Sequence, residues 1–114
     1  MKKIFISQPM KSKTVEEIKE ERAALVAEIE ARGDCVIESV MDTPPDMESQ
    51  ALWCLGRSLE ILAGCDEAVF MPGWWDARGC KMEYQVCLAY GIPVNCLGGA
   101  LPNDAVSDGE EVQA

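Results

Sequence analysis

Apolar and polar positions along this chain alternate between two rhythms, one of strands and one of helices. Lys3-Ile4-Phe5-Ile6-Ser7 is a short apolar run that stops at Gln8-Pro9, as a strand buried on both faces would. Thr14 stands three residues before Glu17, the spacing of a capping box, and Val15, Ile18, Leu25 and Ile29 mark one helical stripe that closes at Gly33. A helix over residues 15–32 is predicted. Cys35-Val36-Ile37 reads as a second strand, whereas Thr43-Pro44-Pro45-Asp46 sustains no regular structure because proline lacks the N–H that helix and ladder need. Leu52, Leu55, Leu59 and Leu62 recur at helical spacing within residues 47–63, and Gly64 is placed to end that helix. Ala68-Val69-Phe70-Met71 predicts a third strand, residues 79–90 a third helix, and residues 92–97 a fourth strand.

The order β-α-β-α-β-α-β implies a parallel sheet of about four strands with right-handed crossovers and helices on both faces. The expected fold class is therefore α/β, a three-layer flavodoxin-like or Rossmann-like domain with strand order 2-1-3-4. In that order the direction of winding reverses between strands one and three, and ligands of open α/β sheets bind at the carboxyl ends of the strands beside the reversal. The loops expected there are Ser7-Gln8-Pro9-Met10 and Pro72 to Gly79. Residues 1–98 form this one domain. Residues 99–114, with Asp104, Asp108, Glu110 and Glu111 and little apolar content, read as a flexible, solvated acidic tail.

Composition narrows the functions available. A chain of 114 residues is one domain, and 48% apolar content is enough for a core. Twenty acids against ten bases give a formal charge of −10, with no basic stripe to follow a phosphate backbone, so a nucleic-acid polymer is not the expected partner. No apolar run approaches the roughly 20 residues of a membrane span. Met1-Lys2-Lys3 leads into a strand rather than the apolar core of a signal peptide, so a cytoplasmic protein is expected. The six cysteines contain no C-x-x-C pair and histidine is absent, which leaves free packing thiols as the expectation and no metal site. Without histidine there is no Ser-His-Asp or Cys-His arrangement, and neither a G-x-G-x-x-G nor a G-x-x-x-x-G-K-[ST] run is present. No organic cofactor is expected.

The chemistry-bearing residues concentrate between Asp66 and Pro93. Glu83 is expected in the first turn of the third helix, where unpaired N–H groups and the helix dipole favour an ionised carboxylate. Such a group suits a nucleophile or an electrostatic stabiliser, and the same position equally suits an ordinary helix-start acid. Asp76 offers a second carboxylate at the same crevice or a turn and capping residue. Two acids are the minimum set for cleaving a glycosidic-type bond. Trp74 and Trp75 cannot both point into one core, so at least one is expected to face the crevice, where a planar base would stack, or a partner subunit. Asp66, at the far end of the third strand, reads as structural.

Three runs carry a family resemblance: K-K-I-F-I-S-Q-P-M, L-G-R-S-L-E-I-L-A-G-C-D-E-A-V-F and P-G-W-W-D-A-R-G-C-K-M-E-Y-Q-V-C-L-A-Y-G-I-P. Over about residues 2 to 97 the chain resembles an uncharacterised family of bacterial and phage proteins that is similar in turn to nucleoside 2-deoxyribosyltransferases and nucleotide N-glycosidases. The resemblance implies that Glu83, four residues after Gly79, attacks the sugar C1′, and that Asp76 handles the leaving base, although the enzymes' acidic or hydroxyl residue falls at Ala77 here. It also implies ligand contacts from Ser7, Gln8, Pro9, Met10, Ser58, Trp74, Trp75 and Gly79. Ser58 stands where the enzymes carry a carboxylate. The expected function is deoxyribosyl transfer or hydrolysis at the N-glycosidic bond of a nucleoside or nucleotide. The alternatives are a non-catalytic nucleotide or nucleotide-sugar binding module and an oligomeric interaction protein. A homo-oligomer is expected in any case, because a four-stranded domain covers its own core thinly.

Overall fold

A computed structural model of the chain describes residues 1–39 and 45–98. Seven elements alternate as β1 (Lys3–Ser7), α1 (Val15–Ala31), β2 (Cys35–Val36), α2 (Gln50–Leu62), β3 (Glu67–Phe70), α3 (Arg78–Tyr90) and β4 (Val94–Cys96), with one 3-10 turn at Trp74–Asp76 between β3 and α3. The four strands form one parallel sheet in the order β2-β1-β3-β4. The expected fold class and strand order are those observed. The acidic tail over residues 99–114 lies outside the described residues.

Local chemistry accounts for the element ends. Glu17 N donates to Thr14 Oγ1 at 3.1 Å and Thr14 N donates to Glu17 Oε1 at 2.8 Å, so the expected capping box starts α1. Gly33, at φ +94°, ends the helix in the left-handed region that residues with a Cβ avoid. At the bottom of the sheet, Asp66 Oδ2 accepts from Lys3 N at 2.8 Å and Asp34 Oδ1 accepts from Lys2 N at 2.9 Å, tying β1 to the segments on either side. Asp66 is thus a strand-start anchor away from the crevice.

Side chains of a strand alternate between sheet faces, and this alternation sets the whole architecture. Phe5, Ala68 and Phe70 point to one face and pack with Leu62 of α2, Trp74, and Cys80 and Cys87 of α3. Ile4, Ile6 and Val69 point to the other and pack with Ile29, Leu25 and Val26 of α1. Two helices cover the first face and one covers the second. The α1 stripe differs from expectation at two positions: Val15 is 45% exposed, while Arg22 is buried among the apolar positions. On α2, Leu62 is buried but Leu52 is 64% exposed, because the first turn of the helix extends past the sheet to the rim of a crevice.

Candidate functional site

A cavity of about 1020 Å3 opens at the carboxyl ends of β1 and β3, beside the reversal of strand order. The end of β1 and the loop after it supply Ser7, Gln8, Pro9 and Met10; the segment after β3 supplies Gly73 and Asp76; α2 supplies Leu52, Leu55 and Ser58; α3 supplies Gly79, Met82 and Glu83. Of the residues expected from the sequence, Ser7, Gln8, Pro9, Met10, Ser58, Asp76, Gly79 and Glu83 share this one cavity.

Glu83 sits 7% exposed on the cavity wall. Ser7 lies on the same sheet face as Phe5, so its hydroxyl turns toward α2 and α3, where Oγ donates to Glu83 Oε1 at 2.6 Å. Ser58, itself buried on the same cavity wall, is near enough for its hydroxyl to favour the charged form of Glu83. Three elements therefore converge on one carboxylate: the end of β1, the middle of α2 and the second turn of α3.

That placement corrects two expectations. The helix begins at Arg78, so Glu83 lies in its second turn and the first turn holds no acid. The free N–H groups of the helix start are a turn away, and the expected dipole stabilisation of the anion is lost with them. Burial instead pushes the Glu83 carboxyl above its ordinary value, with the Ser7 and Ser58 hydroxyls pulling the other way. Both neighbours are neutral hydroxyls. The flanking thiols on α3 are suppressed: burial, reinforced by the Glu83 charge, raises Cys80 to about 11 and Cys87 to about 12. Neither is a thiolate nucleophile at neutral pH.

Neither tryptophan faces the crevice. Trp74 is 1% exposed and packs against Phe70 and Tyr84, with ring centroids 5.3 and 4.6 Å away. Trp75 lies half-buried, edge-on to Trp74 at 6.2 Å. Neither lines the cavity. The 3-10 turn after Gly73 (φ +88°) rolls both indoles back over the α2/α3 layer, which lets two adjacent aromatics share one core. Gln8 is also engaged elsewhere. One residue beyond Ser7, it faces α1, where its amide nitrogen donates to Ile18 O at 2.9 Å and Glu21 Oε1 at 3.0 Å and its oxygen accepts from Arg22 Nε at 2.8 Å.

Sequence reasoning missed Arg22, Ser39 and the apolar lip of Leu52, Leu55 and Met82. Arg22 had a signal: it lies four residues after Ile18 and three before Leu25, on the buried stripe. Ser39, 2% exposed, follows β2 and donates from Oγ to Ile6 O at 3.3 Å. Met82 is three residues after Gly79, the spacing that puts two side chains on one helix face. Among the described residues, no three His, Cys, Asp or Glu side chains converge as metal ligands, no helix is long and apolar enough to cross a membrane, and the six cysteines are unpaired.

A family model described as "Domain of unknown function (DUF4406)" matches residues 2–96. No curated protein matches the chain. Among solved structures, a 2-deoxyribosyltransferase from the psychrotolerant bacterium Bacillus psychrosaccharolyticus is similar, with a TM-score of 0.62 and 19% identity over 90% of this chain and 79% of that one. At that identity the likeness is one of fold.

Proposed function

This chain belongs to the family described as a domain of unknown function, DUF4406, and we propose that it acts on the N-glycosidic bond of a nucleoside or nucleotide with Glu83 as nucleophile. The observation that carries the reading is the buried Glu83 carboxylate on the cavity wall, with Oε1 held 2.6 Å from Ser7 Oγ. The solved 2-deoxyribosyltransferase of similar fold supports the same class of substrate.

In this reaction a Glu83 oxygen forms a bond to C1′ as the bond from C1′ to the base nitrogen breaks, and the bonding pair leaves with the base. Asp76, on the cavity wall, hydrogen-bonds the departing base. The glycosyl ester then passes to the nitrogen of an acceptor base or to water, the proton that this acceptor gives up balancing the one the departed base nitrogen takes from solvent, and the carboxylate is regenerated. A carboxylate with only neutral hydroxyl donors is poorly solvated and correspondingly reactive once ionised, so the rate rises with pH through the raised pKa of Glu83. The nucleobase is gripped by Met10, Leu52, Leu55 and Met82 rather than by an indole. No metal or organic cofactor takes part.

Incubation with deoxynucleosides, their monophosphates and a free acceptor base, followed by separation of products, tests the reading. Product is expected from the parent chain and none from Glu83→Ala; turnover surviving in Glu83→Ala would end the proposal. A second reading, a non-catalytic nucleotide-binding module, is favoured by Ser58, which meets Glu83 with a hydroxyl where the resembling enzymes carry an acid. Saturable ligand binding with no product after long incubation would select it. The proposal extends to a cytoplasmic homo-oligomer, supported by Leu88 and Tyr90, which are 45% and 80% exposed on α3; light scattering after size exclusion reads the assembly state.

A further inference from the structure

Arg22 is 4% exposed on α1, across the sheet from Glu83. Its Nε donates to Gln8 Oε1 at 2.8 Å and its Nη1 to Ser39 Oγ at 3.4 Å, while Nη1 reaches Glu38 Oε1 at 3.7 Å. Nη2 is buried without a partner. Burial lowers the pKa of this guanidinium, with the Glu38 charge opposing. Replacing a buried charged group by well-packed apolar side chains is often neutral or stabilising, so stability alone gives no reason for an arginine here.

The two partners of Arg22 supply a reason. Gln8 follows Ser7 in the chain, and Ser39 Oγ donates to the carbonyl of Ile6, which precedes Ser7, at 3.3 Å. One fork thus grips the residues on both sides of Ser7. Strand alternation turns Ser7 itself to the opposite face, where its hydroxyl meets Glu83. β2 ends at Val36 and no longer pairs with β1 at this height, so the end of β1 is held on that side by these side chains.

We propose that Arg22 is a positioning residue: through Gln8 and Ser39 it fixes the strand end that carries Ser7, and thereby the hydrogen bond from Ser7 to the Glu83 carboxylate. The functional weight of this rests on Glu83 being the reactive carboxylate, but the test reads the carboxylate itself. A parent chain without turnover would remove the glycosidic reading and leave the titration below unaffected.

The experiment is a 13C NMR titration of the full chain labelled at glutamate Cδ, with Glu83→Gln assigning the signal. The groups facing Glu83 are Ser7 from β1, Ser58 from α2, and Cys80 and Cys87 from α3. The thiols titrate near 11 and 12, well clear of the carboxylate range. The Ser7 bond favours the charged form, so Ser7→Ala moves the Glu83 titration upward. Arg22→Met is expected to move it upward to the same extent, and to add nothing in the Ser7→Ala background. Arg22→Lys, which keeps the charge and loses the fork, is expected to behave as Arg22→Met.

An unchanged titration in Arg22→Met with only a lowered Tm would make Arg22 a packing residue and overturn the proposal. So would full restoration by Arg22→Lys, which would mark a charge effect, or additive shifts in the double variant. Should Arg22→Met fail to fold, Gln8→Met cuts the same link with the arginine retained and carries the same expectation.

Discussion

Ser7 Oγ donates to Glu83 Oε1 across 2.6 Å, joining the last residue of β1 to the second turn of α3. The contact spans the reversal of strand order, where the sheet leaves a crevice that no crossover helix fills. The fold thus places a poorly solvated carboxylate on the wall of the cavity at the carboxyl end of the sheet.

Glu83→Gln keeps the volume of the side chain and an oxygen to accept from Ser7, and removes the charge. Turnover is expected to fall by ~10^3-fold or more, since an amide is no nucleophile. Urea unfolding at pH 8 is expected to show stability unchanged or raised by up to about 1 kcal/mol, because the folded state no longer desolvates an anion. A variant both inactive and severely destabilised would point to a structural role.

The pH dependence of stability carries the same signature. Burial places the folded-state pKa of Glu83 above its ordinary value of 4.5. The fold therefore favours the neutral form, and that contribution is complete below the unfolded pKa and is lost as pH rises through the folded one. Asp34 runs the other way: the Lys2 backbone N–H, followed by Arg32, lowers its pKa, so its contribution is lost as pH falls. Subtracting the stability curve of Glu83→Gln isolates the first effect. The parent is expected to lose stability relative to the variant from about pH 4.5 upward, levelling once Glu83 is ionised. A flat difference curve would contradict the assignment.

Most of the fold was legible because its signals are local. The capping box at Thr14 and Glu17, the leucine period of α2 and the unbroken apolar run of β1 each name an element without tertiary information. Glu83 was legible as a candidate from its place behind the Gly-rich loop, but its environment was not. The pKa direction depends on how deeply α3 packs, and as the sixth residue of the helix Glu83 lies beyond the free N–H groups of its start. That neither tryptophan faces the crevice was not legible, because the positive φ of Gly73, which turns both inward, leaves no pattern in neighbouring residues. Arg22 was hidden by the habit of reading a stripe through its apolar members alone.

Trp74 gives a direct check on that correction. Its ring is fully buried, yet its Nε1 has no hydrogen-bond partner, so the indole contributes packing without satisfying its own donor. Trp74→Ala is expected to cost ~3–5 kcal/mol in urea unfolding, and Trp74→Phe distinctly less, since it removes the unpaired N–H along with the volume. Trp75→Ala is expected to leave ligand affinity within about threefold by calorimetry, because interface side chains matter where they contact the ligand and Trp75 does not line the cavity. A large loss of affinity there would return the indole to the crevice.

Two glycines separate stability from ligand recognition. Gly98 adopts φ +93°, and a Cβ built there would lie 2.9 Å from Pro72 Cβ and 3.2 Å from its Cα, too close for backbone neighbours that cannot swing away. Gly98→Ala is therefore expected to cost ~1–3 kcal/mol through strain and overlap. Gly79 lies inside α3 at the cavity wall, and a Cβ there meets nothing within 4 Å. Alanine is the better helix former, so Gly79→Ala is expected to hold or raise stability by up to about 1 kcal/mol. The added methyl projects into open space on the cavity wall, where the proposed reaction puts the sugar, so affinity for a nucleoside monophosphate is expected to drop in the more stable variant. Thermal melts and calorimetry on the two variants read both quantities, and a Gly79→Ala chain that binds as the parent does would mean that the ligand sits elsewhere in the crevice.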